Sequence, residues 1–190
     1  MKNYKIAIVG ATGLVGISVL KVLEEKKLPI EKYSLFSSKN SAGKSISFLG
    51  KDYIVEELTE KSFDEGFDFA IFAAGGDISE KYAPIASSKG CTVIDNSSYF
   101  RMHDDVPLVV PEVNFEDAYS HKGIIANPNC STIQAMLPLK ALDDKFGIKR
   151  IVYSTYQAVS GAGIQGISDL EEGLKGAEPK KFPYLQNIHP

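Results

Sequence analysis

Short apolar runs alternate with amphipathic stretches along this chain. Residues 4–9 contain the continuous run Ile6, Ala7, Ile8 and Val9, the pattern of a strand covered on both faces in a parallel sheet. The segment Gly10-Ala-Thr-Gly13-Leu-Val-Gly16 separates it from Ile17, Val19, Leu20 and Leu23, whose spacing predicts a helix over 17–27 that Pro29 closes. A second strand is predicted over 33–38 and a polar, glycine-bearing loop over 39–44. Short strands follow over 46–49 and 53–58, joined through Gly50-Lys51-Asp52. Residues 68–74 read as another buried strand ending at Gly75-Gly76, before a helix over 79–89 and a strand over 92–95. Further short strands are predicted over 106–110 and 123–126, with a helix near 115–119 between them. A long helix over 131–146, kinked at Pro138, and β-like alternation over 150–157 come next. Residues 182–190 carry no cap, charged tail or strand signal.

Strand–helix alternation of this kind predicts an α/β fold, a doubly wound and mostly parallel sheet. Asn127-Pro128 is the best boundary, giving a first domain over 1–128 and the beginning of a second over 129–190. A length of 190 residues suffices for a buried core, and a formal charge of −3 gives no footprint for nucleic acid or a membrane surface. No apolar run approaches the ~20 residues of a spanning helix. The first residues have no signal-peptide pattern. Two cysteines, Cys91 and Cys130, make no disulfide framework, so a reducing cytoplasm is the expected compartment.

The glycine segment is the first candidate for chemistry. Glycines at G-x-x-G-x-x-G spacing, directly after a buried strand and before a helix, suit a Rossmann-like dinucleotide site. Gly10 permits a tight turn, Gly13 lets backbone N–H groups approach a pyrophosphate, and Gly16 permits close helix–strand packing. Thr12, Leu14 and Val15 lie in the same turn, and Gly75 closes the next buried strand. An NAD site usually has an acidic residue at the end of the second strand. Here Ser37, Ser38, Lys39, Asn40 and Ser41 stand there, hydroxyls and one cation that suit a 2′-phosphate, so NADP is expected.

Cys130 is the second candidate. It opens the long helix within Asn127-Pro-Asn-Cys-Ser-Thr132, where the aligned peptide dipoles favour a thiolate nucleophile. Asn129, or an N–H of the first turn, would donate to an oxyanion. Cys91, before the apolar Val93-Ile94, reads as a small buried residue.

Six motifs together make the chain similar to the aspartate-β-semialdehyde dehydrogenase family over essentially its whole length. They are Gly10-Ala-Thr-Gly-Leu-Val-Gly16, Ser41-Ala-Gly-Lys44, Asp95-Asn-Ser-Ser-Tyr-Phe-Arg101, Val109-Val-Pro-Glu-Val-Asn114, the Cys130 segment, and Ser154-Thr-Tyr-Gln-Ala-Val-Ser-Gly-Ala-Gly163. The resemblance implies NADPH-dependent reductive dephosphorylation of β-aspartyl phosphate to aspartate β-semialdehyde, on the route to lysine, threonine and methionine. It implies a thioester on Cys130, Gln157 orienting the substrate, Asn96 and Arg101 binding substrate or phosphate, and Ser160 and Gly161 beside the nicotinamide. It also implies a homo-oligomer and a second domain of the α+β catalytic and dimerisation type. The lack of a Cys/His cluster in the sequence separately gives the expectation of no metal site.

Two departures qualify it. Many bacterial members carry arginine where Asn40 stands, and Lys39 is a point charge that makes no planar contact. The family's acid–base histidine and second substrate arginine lie in the later part of a longer chain, and His103, His121 and His189 do not match that motif. The chain is therefore expected to be an N-terminal portion with little activity by itself. The competing reading is a stand-alone dinucleotide-binding module, for which Cys130, Arg101 and Gln157 have no use.

Overall fold

A computed structural model describes residues 4–178. A first compact unit ends at Leu137 and a second begins at Pro138. The first is built on a six-stranded parallel sheet of order β5-β2-β1-β6-β7-β8. The strands are β1 (Tyr4–Val9), β2 (Ile30–Ser37), β5 (Glu56–Glu57), β6 (Phe69–Phe72), β7 (Thr92–Asp95) and β8 (Ile124–Ala126). A separate antiparallel hairpin, β3 (Ser45–Phe48) with β4 (Lys51–Ile54), precedes β5. The helices of this unit are α1 (Leu14–Lys26), α2 (Gly76–Ser88), the single turn α3 (Pro111–Asn114) and the start of α4 (Cys130–Phe146).

Side-chain alternation along β1 explains the layering. Ile6 and Ile8 join Leu35 and the α1 residues Leu20 and Leu23 in one core; Ala7 and Val9 join Phe36, Phe72, Val93 and the α2 residues Ala83 and Ala86 in the other. Because β1 is central and covered on both faces, no polar residue is tolerated from Ile6 to Val9. Phe63 and Phe72 stack with centroids 6.1 Å apart and are fully buried, each contributing roughly 1.5–3 kcal/mol by leaving water. Tyr33, Phe48 and Tyr53 pack edge-on between β2 and the hairpin, and burial, then the neighbouring Tyr53, pushes the Tyr33 hydroxyl pKa up.

The α/β class and parallel sheet are as expected, and several local expectations are corrected. Residues 106–110 do not form a strand. Pro107 lacks an N–H, and one isolated bridge, Leu108 to Ala126, replaces a ladder. Residues 150–157 have no ladder partner among the described residues and are exposed, so alternation there marks no strand. The stretch expected as one strand over 53–58 splits at buried Val55 between β4 and β5, which belong to different sheets. The helix near 115–119 is 3₁₀ (Phe115–Ser120) and follows α3. α1 begins at Leu14, earlier than its apolar spacing suggests, and β2 begins directly after Pro29. In the second unit, a 3₁₀ turn (Val159–Ala162) and an unanticipated helix α5 (Gly163–Leu174) pack together through Gly166, where a Cβ would stand 2.7 Å from the Val159 carbonyl oxygen. Residues 182–190 and His189 lie outside the described residues.

Gly16 sets how deeply α1 sits on the sheet. A Cβ there would fall 2.2 Å from the Gly10 carbonyl oxygen and 2.8 Å from Ala11 Cα, both backbone atoms with nowhere to move. Gly16→Ala should therefore lower stability by about 2–3 kcal/mol, the upper part of the overpacking range. Gly75→Ala, which meets nothing within 4 Å, should leave the urea midpoint nearly unchanged. Equal midpoints for the two variants would contradict this packing.

Candidate active site

In a parallel sheet every carboxyl end lies on the same edge, and the strand order of the first unit reverses between β1 and β6. A crevice at such a reversal is where doubly wound folds bind ligands. Here the crevice is a cavity of about 360 Å³ with Gly10, Ser37, Ser38, Lys39, Ala74 and Ile78 among its lining residues. Gly10 takes φ +84°, and a Cβ on it would stand 2.5 Å from the Ala73 carbonyl oxygen at the end of β6. Its own N–H and that of Ala11 donate to the Phe36 carbonyl at 2.8 and 3.1 Å, tying the turn to β2. The Thr12 and Ser37 hydroxyls lie 2.7 Å apart and complete that tie.

Two helices start at this edge with glycine at the N-cap, α1 after Gly13 and α2 after Gly75, and neither has a side-chain cap. With no N-cap side chain, first-turn N–H groups at these positive helix ends can meet another acceptor, although in α2 the Ile78 N–H already donates to the Gly75 carbonyl at 3.1 Å. A pyrophosphate suits that pair of ends. Leu14 and Val15 are exposed in the first turn of α1. Beyond β2, the N–H groups of Ser41 and Ala42 donate to the Ser38 carbonyl, holding the Ser38–Ser41 loop; Asn40 is exposed. Parallel pairing also brings Glu56 and Glu57 beside Phe36 and Ser37, a neighbourhood the sequence alone does not suggest. The cavity wall at that point is nonetheless Ser37, Ser38 and Lys39.

The ends of β7 and β8 carry a hydrogen-bonded network. Asp95 is fully buried, and its carboxyl group accepts from Ser79 Oγ (2.7 Å), Ser97 N (3.0 Å) and Ser97 Oγ (2.7 Å). Asp95 thereby joins α2 to the loop after β7. Asn96 and Asn127 follow the paired residues Asp95 and Ala126, so they stand side by side, with Asn127 Nδ2 donating to Asn96 Oδ1 at 2.6 Å. Arg101, in a 3₁₀ turn (Tyr99–Met102), is half-buried and reaches back to both. Its Nε donates to the Asn127 carbonyl at 2.8 Å and its Nη2 to the Asn96 carbonyl at 3.1 Å.

Asn129 caps α4: Oδ1 accepts from Ser131 N at 3.0 Å and its carbonyl from Ile133 N at 2.9 Å. The cap commits the side-chain oxygen and leaves Nδ2 as the donor. Cys130 is the first residue of α4 and is exposed. Cys91 is 1% exposed, and burial, reinforced by the nearby Asp68, pushes its thiol pKa up to about 12.

The edge thus gathers Gly10, Ser37, Ser38 and Lys39 on the crevice wall, with Thr12, Gly13 and Gly75 in the turns that follow β1 and β6. Asn96, Arg101, Asn129 and Cys130 stand at neighbouring strand ends. Three strand spacings separate β1 from β8, about 14 Å. Gln157, Ser160 and Gly161 belong to the second unit, where the Gln157 amide lies against Gly161 beside the turn that starts α5. His103 is exposed against the Tyr99 and Phe100 rings, and His121 Nδ1 accepts from Gly123 N. Asp95, Ser79, Ser97 and Asn127 were not legible as site residues. The one available signal was a polar residue directly after each short apolar run. Among the described residues no cluster of His, Cys, Asp or Glu is placed to hold a metal ion, and no helix is long and apolar enough to cross a membrane.

A family model described as the semialdehyde dehydrogenase NAD binding domain matches residues 5–121, and one described as the semialdehyde dehydrogenase dimerisation domain matches residues 139–188. The aspartate-semialdehyde dehydrogenase of Aquifex aeolicus is 52% identical over 98% of this chain and 56% of its own length. That of Campylobacter jejuni is 52% identical over 96% and 57%. The crystal structure of aspartate semialdehyde dehydrogenase II from Vibrio cholerae complexed with ASA matches with TM-score 0.86 and 44% identity, covering 95% of this chain and 55% of that one. The Candida albicans enzyme with NADP matches with TM-score 0.65 and 29% identity, covering 77% and 48%. The chain spans about half the length of the curated relatives it matches. With well over half of its residues under one domain model and the glycine crevice inside that span, the chain belongs to the semialdehyde dehydrogenase family.

Proposed function

We propose that this chain supplies the cofactor-binding and nucleophile-bearing part of an aspartate-semialdehyde dehydrogenase. The reaction is NADPH-dependent reductive dephosphorylation of β-aspartyl phosphate, in cytoplasmic lysine, threonine and methionine synthesis. One observation carries the reading: Cys130 is exposed at the first residue of α4, on the same sheet edge as the glycine crevice. Cys130 Sγ attacks the acyl carbon, and the carbon–oxygen bond to phosphate breaks with its electron pair leaving on phosphate. Splitting the displacement through a thioester replaces one difficult step by two easier ones. N–H groups at the start of α4 other than that of Ser131, which Asn129 Oδ1 already accepts, are suited together with Asn129 Nδ2 to hold the acyl oxygen as its charge develops. Arg101 and Asn96 receive the phosphate, a task that fits a guanidinium fork. Gln157 orients the substrate, and Ser160 and Gly161 flank the cofactor. A reduced nicotinamide dinucleotide, when bound, supplies hydride to the thioester carbon. Cleavage of the carbon–sulfur bond then frees the aldehyde and restores Cys130. The match of residues 139–188 to a dimerisation-domain model supports a homo-oligomer.

Ser38 and Lys39 at the wall, with no carboxylate facing the crevice there, support NADP over NAD. Lys39→Glu should weaken NADPH binding by about tenfold or more while leaving NADH nearly unaffected, since a carboxylate repels the 2′-phosphate and accepts from a 2′-hydroxyl. Parallel fluorescence titrations check it; an equal loss for both cofactors would count against the assignment. In the intact protein, Cys130→Ser should lower kcat by on the order of 10³ with cofactor affinity preserved. Iodoacetamide at pH 8 should label Cys130 quickly and Cys91 only after unfolding, because the Cys91 thiol is buried and stays protonated. Slow, equal labelling of both, read by mass spectrometry, would favour a binding module without covalent chemistry.

A further inference from the structure

We propose that Asn127 is a positioning residue: its side-chain amide fixes the orientation of the Asn96 amide, so that Asn96 and Arg101 together present only hydrogen-bond donors to a phosphoryl group. The inference rests on the reading of this edge as an acyl-phosphate site. A primary amide can sit in either of two orientations that exchange donor for acceptor at nearly the same shape, and its partners decide between them. With Asn127 Nδ2 donating to Asn96 Oδ1 at 2.6 Å, the acceptor of Asn96 is engaged and Nδ2 is the group left to meet a ligand. Reversing that amide would set an oxygen beside the incoming phosphate oxygens, next to the guanidinium meant to attract them.

The backbone of Asn127 does separate work. Its N–H donates to the Asp95 carbonyl at 2.8 Å, and its carbonyl accepts Arg101 Nε at 2.8 Å. Asn127→Ala therefore removes the amide pair while keeping the strand contact and the Arg101 anchor. Asn127→Asp does more: a carboxylate accepts only, so it draws Asn96 Nδ2 towards itself and turns Oδ1 outward.

The test uses the intact protein assayed in the phosphorylating direction, with the semialdehyde, NADP and inorganic phosphate. Asn127→Ala should raise the KM for phosphate about tenfold, the equivalent of one hydrogen bond to a charged group, and Asn127→Asp should raise it further. The KM for NADP and the rate of Cys130 alkylation should stay at their wild-type values in both. An unchanged phosphate KM, or equal increases in the phosphate and NADP values, overturns the positioning role. If the wild-type protein shows no phosphate-dependent turnover, the functional reading fails instead. Calorimetric titration with inorganic phosphate then decides the role of Asn127 by itself: about tenfold weaker binding to Asn127→Ala supports it, and equal or absent binding in both proteins overturns it.

Discussion

One constraint governs the first unit: all strands of the main sheet run the same way, so every strand delivers its last residue to one edge. A parallel sheet needs helices on both faces, and the helices that cover this one begin where the strands stop. Strand ends, which offer unpaired backbone and side chains facing out of the sheet, therefore meet helix beginnings, which offer unpaired N–H groups. Gly10, Gly75, Asn96 and Asn129 all occupy that meeting line without being neighbours in sequence. The chemistry of the edge is a by-product of topology before any side chain is chosen.

Side chains then tighten it. Asp95 ends its strand inside the protein, and three donors from Ser79 and Ser97 hold it there. A buried carboxyl group is costly unless every partner is in place, so this group admits one arrangement of α2 and the loop that carries Arg101. Thr12 and Ser37 do the same for the glycine turn and β2. The crevice walls are thus fixed by short polar contacts between elements, while the two apolar cores set the spacing of the layers.

Much of this was legible in the sequence wherever a residue's local chemistry coincides with its tertiary role. The run Ile6 to Val9 has one interpretation as a central strand. Gly10 and Gly16 announce a close approach because a Cβ at either would strike backbone, and Cys130 stands among residues that cap helices. Legibility ended where pairing partners decide. Residues 106–110 and 150–157 have strand-like patterns, but a strand exists only with a neighbour to complete its ladder, and proline removes the donor in the first case. α5 escaped notice because Gly163, Gly166 and Gly173 lower the helical propensity of a segment that tertiary packing nonetheless winds up. Asn127 escaped because its importance comes from standing beside Asn96, a fact of strand register.

Arg101 is tethered by the main-chain carbonyls of Asn96 and Asn127, both electrically neutral. Had carboxylates held it, the fold would have cancelled its positive charge internally, and an arriving anion would first have to break an ion pair. Tethering through uncharged oxygens orients the guanidinium while conserving its full electrostatic pull for whatever enters from solvent.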